Sequence, residues 1–157
     1  PVCSPDYLRS AGPVTRLRDL ARRTLIHLEE PYRPKPAWRD WFAHHGFSYV
    51  DNGEGLRLND YALVVQAAIG SQGIAMGWAH IVDYPLRQGL LLKAMDAAWR
   101  TGQCFYVVSP RSVTISVDTK LVRDWIVSDA ELTPTVAGNQ TALTRSSSRP
   151  IIRQSAS

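Results

Sequence analysis

From residue 16 to residue 108 the chain switches repeatedly between helical and strand-like hydrophobic periods, and no other feature constrains its fold as strongly. Residues 16–23 set Leu17, Leu20 and Ala21 on one helical face behind Thr15, the expected N-cap, and residues 24–28 read as a short strand. A loop over 29–35 carries Pro31 and Pro34. Pro36 then suits the first turn of a helix, where its missing N–H has no intrahelical partner to lose. Trp38, Trp41, Phe42 and His45 recur at helical spacing before Gly46 stops the helix, an aromatic stripe that predicts a core-facing surface. Turn residues over 51–55 lead into a strand over 56–58. Asn59 is expected to cap a helix over 60–71 whose Leu63, Val64, Ala67, Ala68 and Ser71 share a face. Gly70 and Gly73 close that helix, and residues 74–77 form the next strand. A shorter helix around 85–88 leads through Gly89 into the apolar segment 90–95. After a linker over 96–103 come a strand over 104–108 and a final helix near 117–130, with Leu121, Val122, Trp125 and Ile126 on its buried side. Strands alternating with helices imply an α/β layer architecture with a largely parallel or mixed sheet.

With 157 residues, 45% hydrophobic and 20% charged, the chain can bury one sizeable core. Cys3 and Cys104 are too far apart in sequence to form a disulfide framework. No apolar run approaches the roughly 20 residues of a membrane span, and residues 1–5 lack the basic and apolar regions of a signal peptide. A cytoplasmic setting without membrane contact is expected. The missing initiator methionine implies a start inside a longer gene product. The formal charge of +4 suggests nucleic acid, but from Leu132 onward the only charged residues are Arg145, Arg149 and Arg153. Taking those three away leaves residues 1–131 at +1, too little for a phosphate-binding surface. The tail over 132–157 has no aromatic residue and no sustained apolar period, and is expected to be disordered.

Catalytic constellations are missing. There is no G-x-S-x-G elbow and no Gly-Lys-Ser/Thr triplet of a P-loop. His44 and His45 are adjacent, so on a helix they point about 100° apart and cannot chelate a metal as an i, i+4 pair does. His45 is expected in a core or interface and His44 in solvent. Gly70, Gly73 and Gly77 follow G-x-x-G-x-x-x-G spacing between a helix and a strand, the reverse order from a dinucleotide fingerprint, and read as a cap followed by tight packing. Cys104 reads as a small buried hydrophobe. No enzyme, cofactor or metal is expected.

Binding is the remaining class. In open α/β sheets ligands lie beyond the carboxyl ends of strands, against helix N-termini. Two such turns stand out. Asn59, Asp60 and Tyr61 present an amide side chain and main-chain N–H groups. Gly77 allows close backbone approach, and Trp78 beside it offers an apolar wall. Plain capping by Asn59 and core packing by Trp78 are the competing explanations.

Taken in order, Asp19-Leu20-Ala21, Leu25-Ile26-His27, Trp38-x-x-Trp41-Phe42, Leu56-Arg57-Leu58-Asn59-Asp60, Gly70-x-x-Gly73-Ile74-Ala75-Met76-Gly77, Phe105-Tyr106-Val107-Val108 and Val122-Arg123-Asp124-Trp125-Ile126 form a familiar series. Over 1–131 the chain resembles the effector-binding domain of LysR-type transcriptional regulators, glycine-cleavage-activator-like subgroup. The resemblance implies a fold like type II periplasmic binding proteins: two α/β subdomains with a small-molecule cleft between them. It assigns the complete second regulatory subdomain to 1–95, a segment returning to an incomplete first subdomain to 96–131, and the basic tail to 132–157. It implies effector contacts at Asn59, Asp60, Tyr61, Gly77, Trp78, Phe105 and Tyr106, a small carboxylate or amino-acid-like effector, and a homo-oligomer. DNA would be read only through a winged-helix domain that this chain lacks. Phe105, Val107, Val122, Trp125 and Ile126 would expose apolar surface where the first subdomain is missing. The alternatives are a solute-binding protein of the same fold and an enzyme of unrecognised type.

Overall fold

The computed structural model describes residues 1–29, 37–102, 106–108 and 115–132, with the side chains of 129–132 left out. The elements run β1 (Val2–Cys3), α1 (Pro5–Ala11), α2 (Leu17–Leu20), β2 (Leu25–Leu28), α3 (Trp38–His44), β3 (Leu56–Leu58), α4 (Tyr61–Ile69), β4 (Ile74–Ala75), α5 (Ala79–Arg87), β5 (Leu92–Lys93) and α6 (Val117–Leu132). Five strands form one mixed sheet in the order β3-β2-β4-β1-β5. β2 runs parallel to β3 and to β4, whereas β1 is antiparallel to β4 and β5.

Strand alternation divides the core in two. Cys3, Leu25 and Ile74 point to one face, where Trp38, Trp41 and Phe42 of α3 and Leu20 of α2 complete a cluster. Their neighbours Val2, Ile26 and Ala75 point to the other face, against Val64, Val65 and Ala68 of α4 and Val82 of α5. Helices therefore cover both faces of a doubly wound sheet. The aromatic stripe is buried as its spacing predicts, with Trp38 edge-on to Trp41 at 5.8 Å and Phe42 stacked on Tyr49 at 4.7 Å. Gly46, at φ +73°, ends α3.

Several expectations are corrected. α1 was not foreseen: Ser4 caps it by accepting the Tyr7 N–H at 3.1 Å, and Pro5 opens it. The helix expected over 16–23 shrinks to α2, capped at Arg16 rather than Thr15. The Asp19 carboxylate takes the Arg16 N–H at 3.0 Å and the Thr15 hydroxyl at 3.2 Å. Pro36 and most of the loop over 29–35 lie outside the described residues.

Asp60, not Asn59, caps α4, its carboxylate accepting the Ala62 and Leu63 N–H groups at 2.7 and 3.3 Å. The face of α4 turns accordingly: Val64, Val65 and Ala68 are buried while Leu63 is 51% exposed. β4, expected over 74–77, stops after Ala75, and the Met76 carbonyl accepts from the Tyr61 hydroxyl. α5 is longer than the turn expected at 85–88. It begins at Ala79, where Trp78 C=O accepts the Ile81 and Val82 N–H groups.

Cys104 and Phe105 lie outside the described residues, and Tyr106, Val107 and Val108 are exposed without forming a strand. α6 forms where expected, but its apolar side is not buried: Leu121, Val122, Trp125 and Ile126 are all exposed, Trp125 by 66%.

Candidate functional site

A small cavity of about 40 Å³ opens at the carboxyl ends of β2 and β4, with room for a few waters. Its walls come from both sides of the sheet. Trp38 of α3 stands on one face, and Tyr61 and Val64 of α4 on the other. The end of β2 (Ile26, His27, Leu28) and the turn Met76–Trp78 supply the rest. Adjacent parallel strands whose following helices lie on opposite faces create such a crevice by topology alone.

Two hydrogen bonds hold its walls in place. The Trp38 indole N–H donates to the Ile26 carbonyl at 2.9 Å, fixing α3 to the end of β2. The Tyr61 hydroxyl donates to the Met76 carbonyl at 3.0 Å and accepts the Trp78 main-chain N–H at 2.7 Å. Burial pushes the Tyr61 phenol up to about 12, so it stays protonated and keeps its donor role.

His27 follows Ile26 on β2, beside Arg57 in the parallel ladder. It is only 7% exposed. Its Nδ1 lies 3.7 Å from Asp51 Oδ2, and its buried Nε2 has no hydrogen-bond partner. Burial lowers the proton affinity of this imidazole, with the Asp51 carboxylate opposing, so His27 is neutral at pH 7. Asp51 is held well below the usual carboxylate range, first by the hydrogen bond from Arg57. Arg57 Nη2 reaches both Asp51 oxygens at 2.8 Å while Nη1 meets Glu29 at 2.5 Å. This pairing leaves the edge of β3 polar.

The predicted residues separate. Tyr61 and Trp78 share the cavity wall. Asn59 and Asp60 are exposed at the start of α4, and Asp60 already occupies two N–H groups of the first turn. Gly77 has a packing reason: a Cβ there would sit 2.9 Å from Val2 Cγ1 and 3.1 Å from Val82 Cγ2. Tyr106 is 82% exposed and lines no part of this cavity, and Phe105 lies outside the described residues. His27, Trp38 and Met76 line the cavity without having been expected as effector contacts. The one signal for His27 was an imidazole inside an otherwise apolar strand.

A larger groove of about 420 Å³ lies between residues 107–108 and α6. Its walls are mainly apolar, and Asp118 and Arg123 are the charged residues among the described ones that line it. No group of three or more metal-ligating side chains exists among the described residues. Cys3 is buried, and burial pushes its thiol up to about 11, which makes it a poor nucleophile. No helix among the described residues is long and apolar enough to cross a membrane.

A doubly wound α/β lobe with an aromatic-walled crevice beyond its strand ends has the architecture of a ligand-binding module. The sequence profile of the LysR substrate binding domain matches residues 1–131, and the chain belongs to that family. It is 27% identical over 130 residues to the glycine cleavage system transcriptional activator of Escherichia coli (strain K12), covering 83% of this chain and 41% of that protein. It is 26% identical over 114 residues to the HTH-type transcriptional regulator DsdC of the same strain, covering 69% of this chain and 36% of the relative. The chain thus spans about two fifths of the length of these relatives, which are transcriptional regulators. The effector domain of the transcriptional regulator AmpR of Pseudomonas aeruginosa superposes with a TM-score of 0.59 at 17% identity, over 83% of this chain and 60% of that one. The AmpR effector binding domain from Citrobacter freundii gives 0.59 at 13% identity, over 84% and 62%. The fold is the α/β architecture of these domains, like that of type II periplasmic binding proteins.

Proposed function

We propose that the chain is the effector-sensing module of a LysR-type regulator, binding a small carboxylate or amino-acid-like ligand in a cleft whose floor is the cavity at the ends of β2 and β4. One observation carries this reading: Tyr61 and Trp78, chosen from two separate strand-to-helix turns, meet in one cavity at the switch point of the sheet. On this reading residues 1–95 form the effector lobe, 96–131 return to the other subdomain, and Asn59, Asp60, Tyr61, Gly77, Trp78, Phe105 and Tyr106 border the ligand. An α-amino acid suits the rim, because its ammonium matches the Asp60 carboxylate while its own carboxylate can accept main-chain N–H groups. Tyr61, Trp38 and Trp78 would wall off water. The module acts in the cytoplasm, and ligand binding modulates homo-oligomers held on DNA by a winged-helix domain.

The test is a calorimetric titration of the regulator carrying its winged-helix domain with glycine and, separately, acetate. Saturable binding that weakens about tenfold in Asn59→Ala or Trp78→Ala is the expected result, equivalent to about 1.4 kcal/mol. Unchanged affinity in both variants removes these residues from the site.

A further inference from the structure

We infer that the Tyr61 hydroxyl is a positioning group that joins the two turns of the effector site into one rigid lip. The inference rests on the reading of the cavity given above, but its observations are its own. Tyr61 opens α4, immediately after the Asp60 cap, whereas Met76 and Trp78 belong to the turn between β4 and α5. Among the described residues no main-chain hydrogen bond joins these two turns. The phenol does so, using its proton on the Met76 carbonyl and a lone pair on the Trp78 N–H. Both bonds are within normal lengths for their type, and the hydroxyl retains its proton at any physiological pH because burial holds it near 12.

The arrangement also says what the lip offers a ligand. The Trp78 N–H lies at the N-cap of α5, where main-chain donors favour anions, and the phenol oxygen occupies that donor. An effector therefore meets the aromatic face of Trp78 and not its amide. Met76 C=O, the last acceptor after β4, is likewise occupied. Tyr61 thus positions Trp78 as an apolar wall while keeping the two turns in register, so that an effector touching one turn feels the geometry of the other. A phenylalanine would preserve the ring that packs against the α4 side of the core, leaving only the two bonds broken.

The experiment is amide hydrogen exchange by NMR on the 157-residue chain and on Tyr61→Phe, with glycine titrated into both. In Tyr61→Phe the Trp78 amide is expected to exchange at least about tenfold faster, while the amides of Val64 and Ile74, bonded to Asp60 and Thr24, change less than about twofold. Unchanged exchange at Trp78 would overturn the inference, and so would uniform acceleration through α4 and β4, which would mean that the hydroxyl simply stabilises the fold. If glycine binds the native chain, Tyr61→Phe should weaken it at least about fivefold. Equal affinity alongside accelerated Trp78 exchange would overturn the positioning role. If glycine does not bind the native chain, the exchange result alone decides whether the phenol joins the turns, and the amino-acid reading is decided by the titration of the regulator.

Discussion

Gly77→Ala isolates a packing constraint from a ligand constraint. Gly77 does not need a left-handed backbone, so alanine is conformationally acceptable and the whole effect comes from the added methyl. That methyl would lie 2.9 and 3.0 Å from the two Cγ atoms of Val2 and 3.1 Å from Val82 Cγ2, against the roughly 3.5–4.0 Å of relaxed carbon contacts. Both valines are buried, and β-branched side chains hold one preferred rotamer. Relief therefore requires β1 or α5 to shift by several tenths of an ångström. Overpacking of this kind costs about 1–3 kcal/mol. The loss of chain entropy in the unfolded alanine variant offsets about 0.4–1 kcal/mol of that, leaving a net destabilisation of about 1–2 kcal/mol. Val2→Ala alone removes both clashing carbons and should cost about 2 kcal/mol through lost burial and a small cavity. In the double variant the new methyl fills the space that Val2 vacates, so the two losses should fall short of their sum by about 1 kcal/mol or more. Urea denaturation followed by tryptophan fluorescence measures all four corners of the cycle. Additivity within about 0.3 kcal/mol, or a Gly77→Ala variant as stable as the native chain, would refute the packing account.

Gly55 should be less tolerant: at φ +100° its Cβ would come within 2.2 Å of the Leu25 carbonyl oxygen, so Gly55→Ala should lose about 3 kcal/mol or more in the same denaturation series. Because burial lowers the folded-state affinity of His27 for protons, the unfolded chain binds more protons below pH 6.5. Stability should then fall as pH drops from 6.5 through the lowered folded value, and urea midpoints between pH 7 and 5 should decline less steeply in His27→Gln. An equal slope in that variant would assign the effect to the other groups whose proton affinities are lowered, the Pro1 amine, His45 and His80. Cys3, buried with its thiol near 11, should escape iodoacetamide at pH 7 in the folded chain and react after unfolding, as read by mass spectrometry of its peptide. The exposed apolar side of α6 should drive association that rises with concentration and recedes in Trp125→Lys, measured by size exclusion with light scattering; equal masses for both proteins would contradict it.

The sheet was legible because each strand carries its own evidence. Leu25 and Ile26, or Ile74 and Ala75, are apolar on both sides, the mark of strands covered by helices on two faces. The aromatic helix was legible for a related reason: Trp38, Trp41 and Phe42 at i, i+3 and i+4 have no solvent-exposed solution. Boundaries were harder to read. Asn59 and Asp60 are both good caps, and the choice between them depends on where β3 releases the chain, a tertiary fact. For α5, residues 79–84 include His80 and Asp83 among apolar residues and carry Pro85 near the end, so local propensity alone understates a helix that packs Val82 into the core.

The site was half legible, and the division follows from what builds it. Its position is a property of strand order, because a crevice opens wherever neighbouring parallel strands send their helices to opposite faces. Sequence alternation was enough to name the turns after β3 and β4. Its lining, however, is set by where regular pairing stops. The ladder ends at Ala75, the Tyr61 phenol takes the next carbonyl, and its second bond holds the Trp78 N–H. Hydroxyl partners fifteen and seventeen residues away leave no periodic trace. Likewise, His27 enters the cavity as the strand residue after Ile26, whose carbonyl anchors Trp38. Its neutral state comes from burial and is opposed by Asp51, which Arg57 holds from the neighbouring strand. Local pattern therefore locates the floor of such a site, while its chemistry is decided by a few polar side chains that bond to the backbone where strands end.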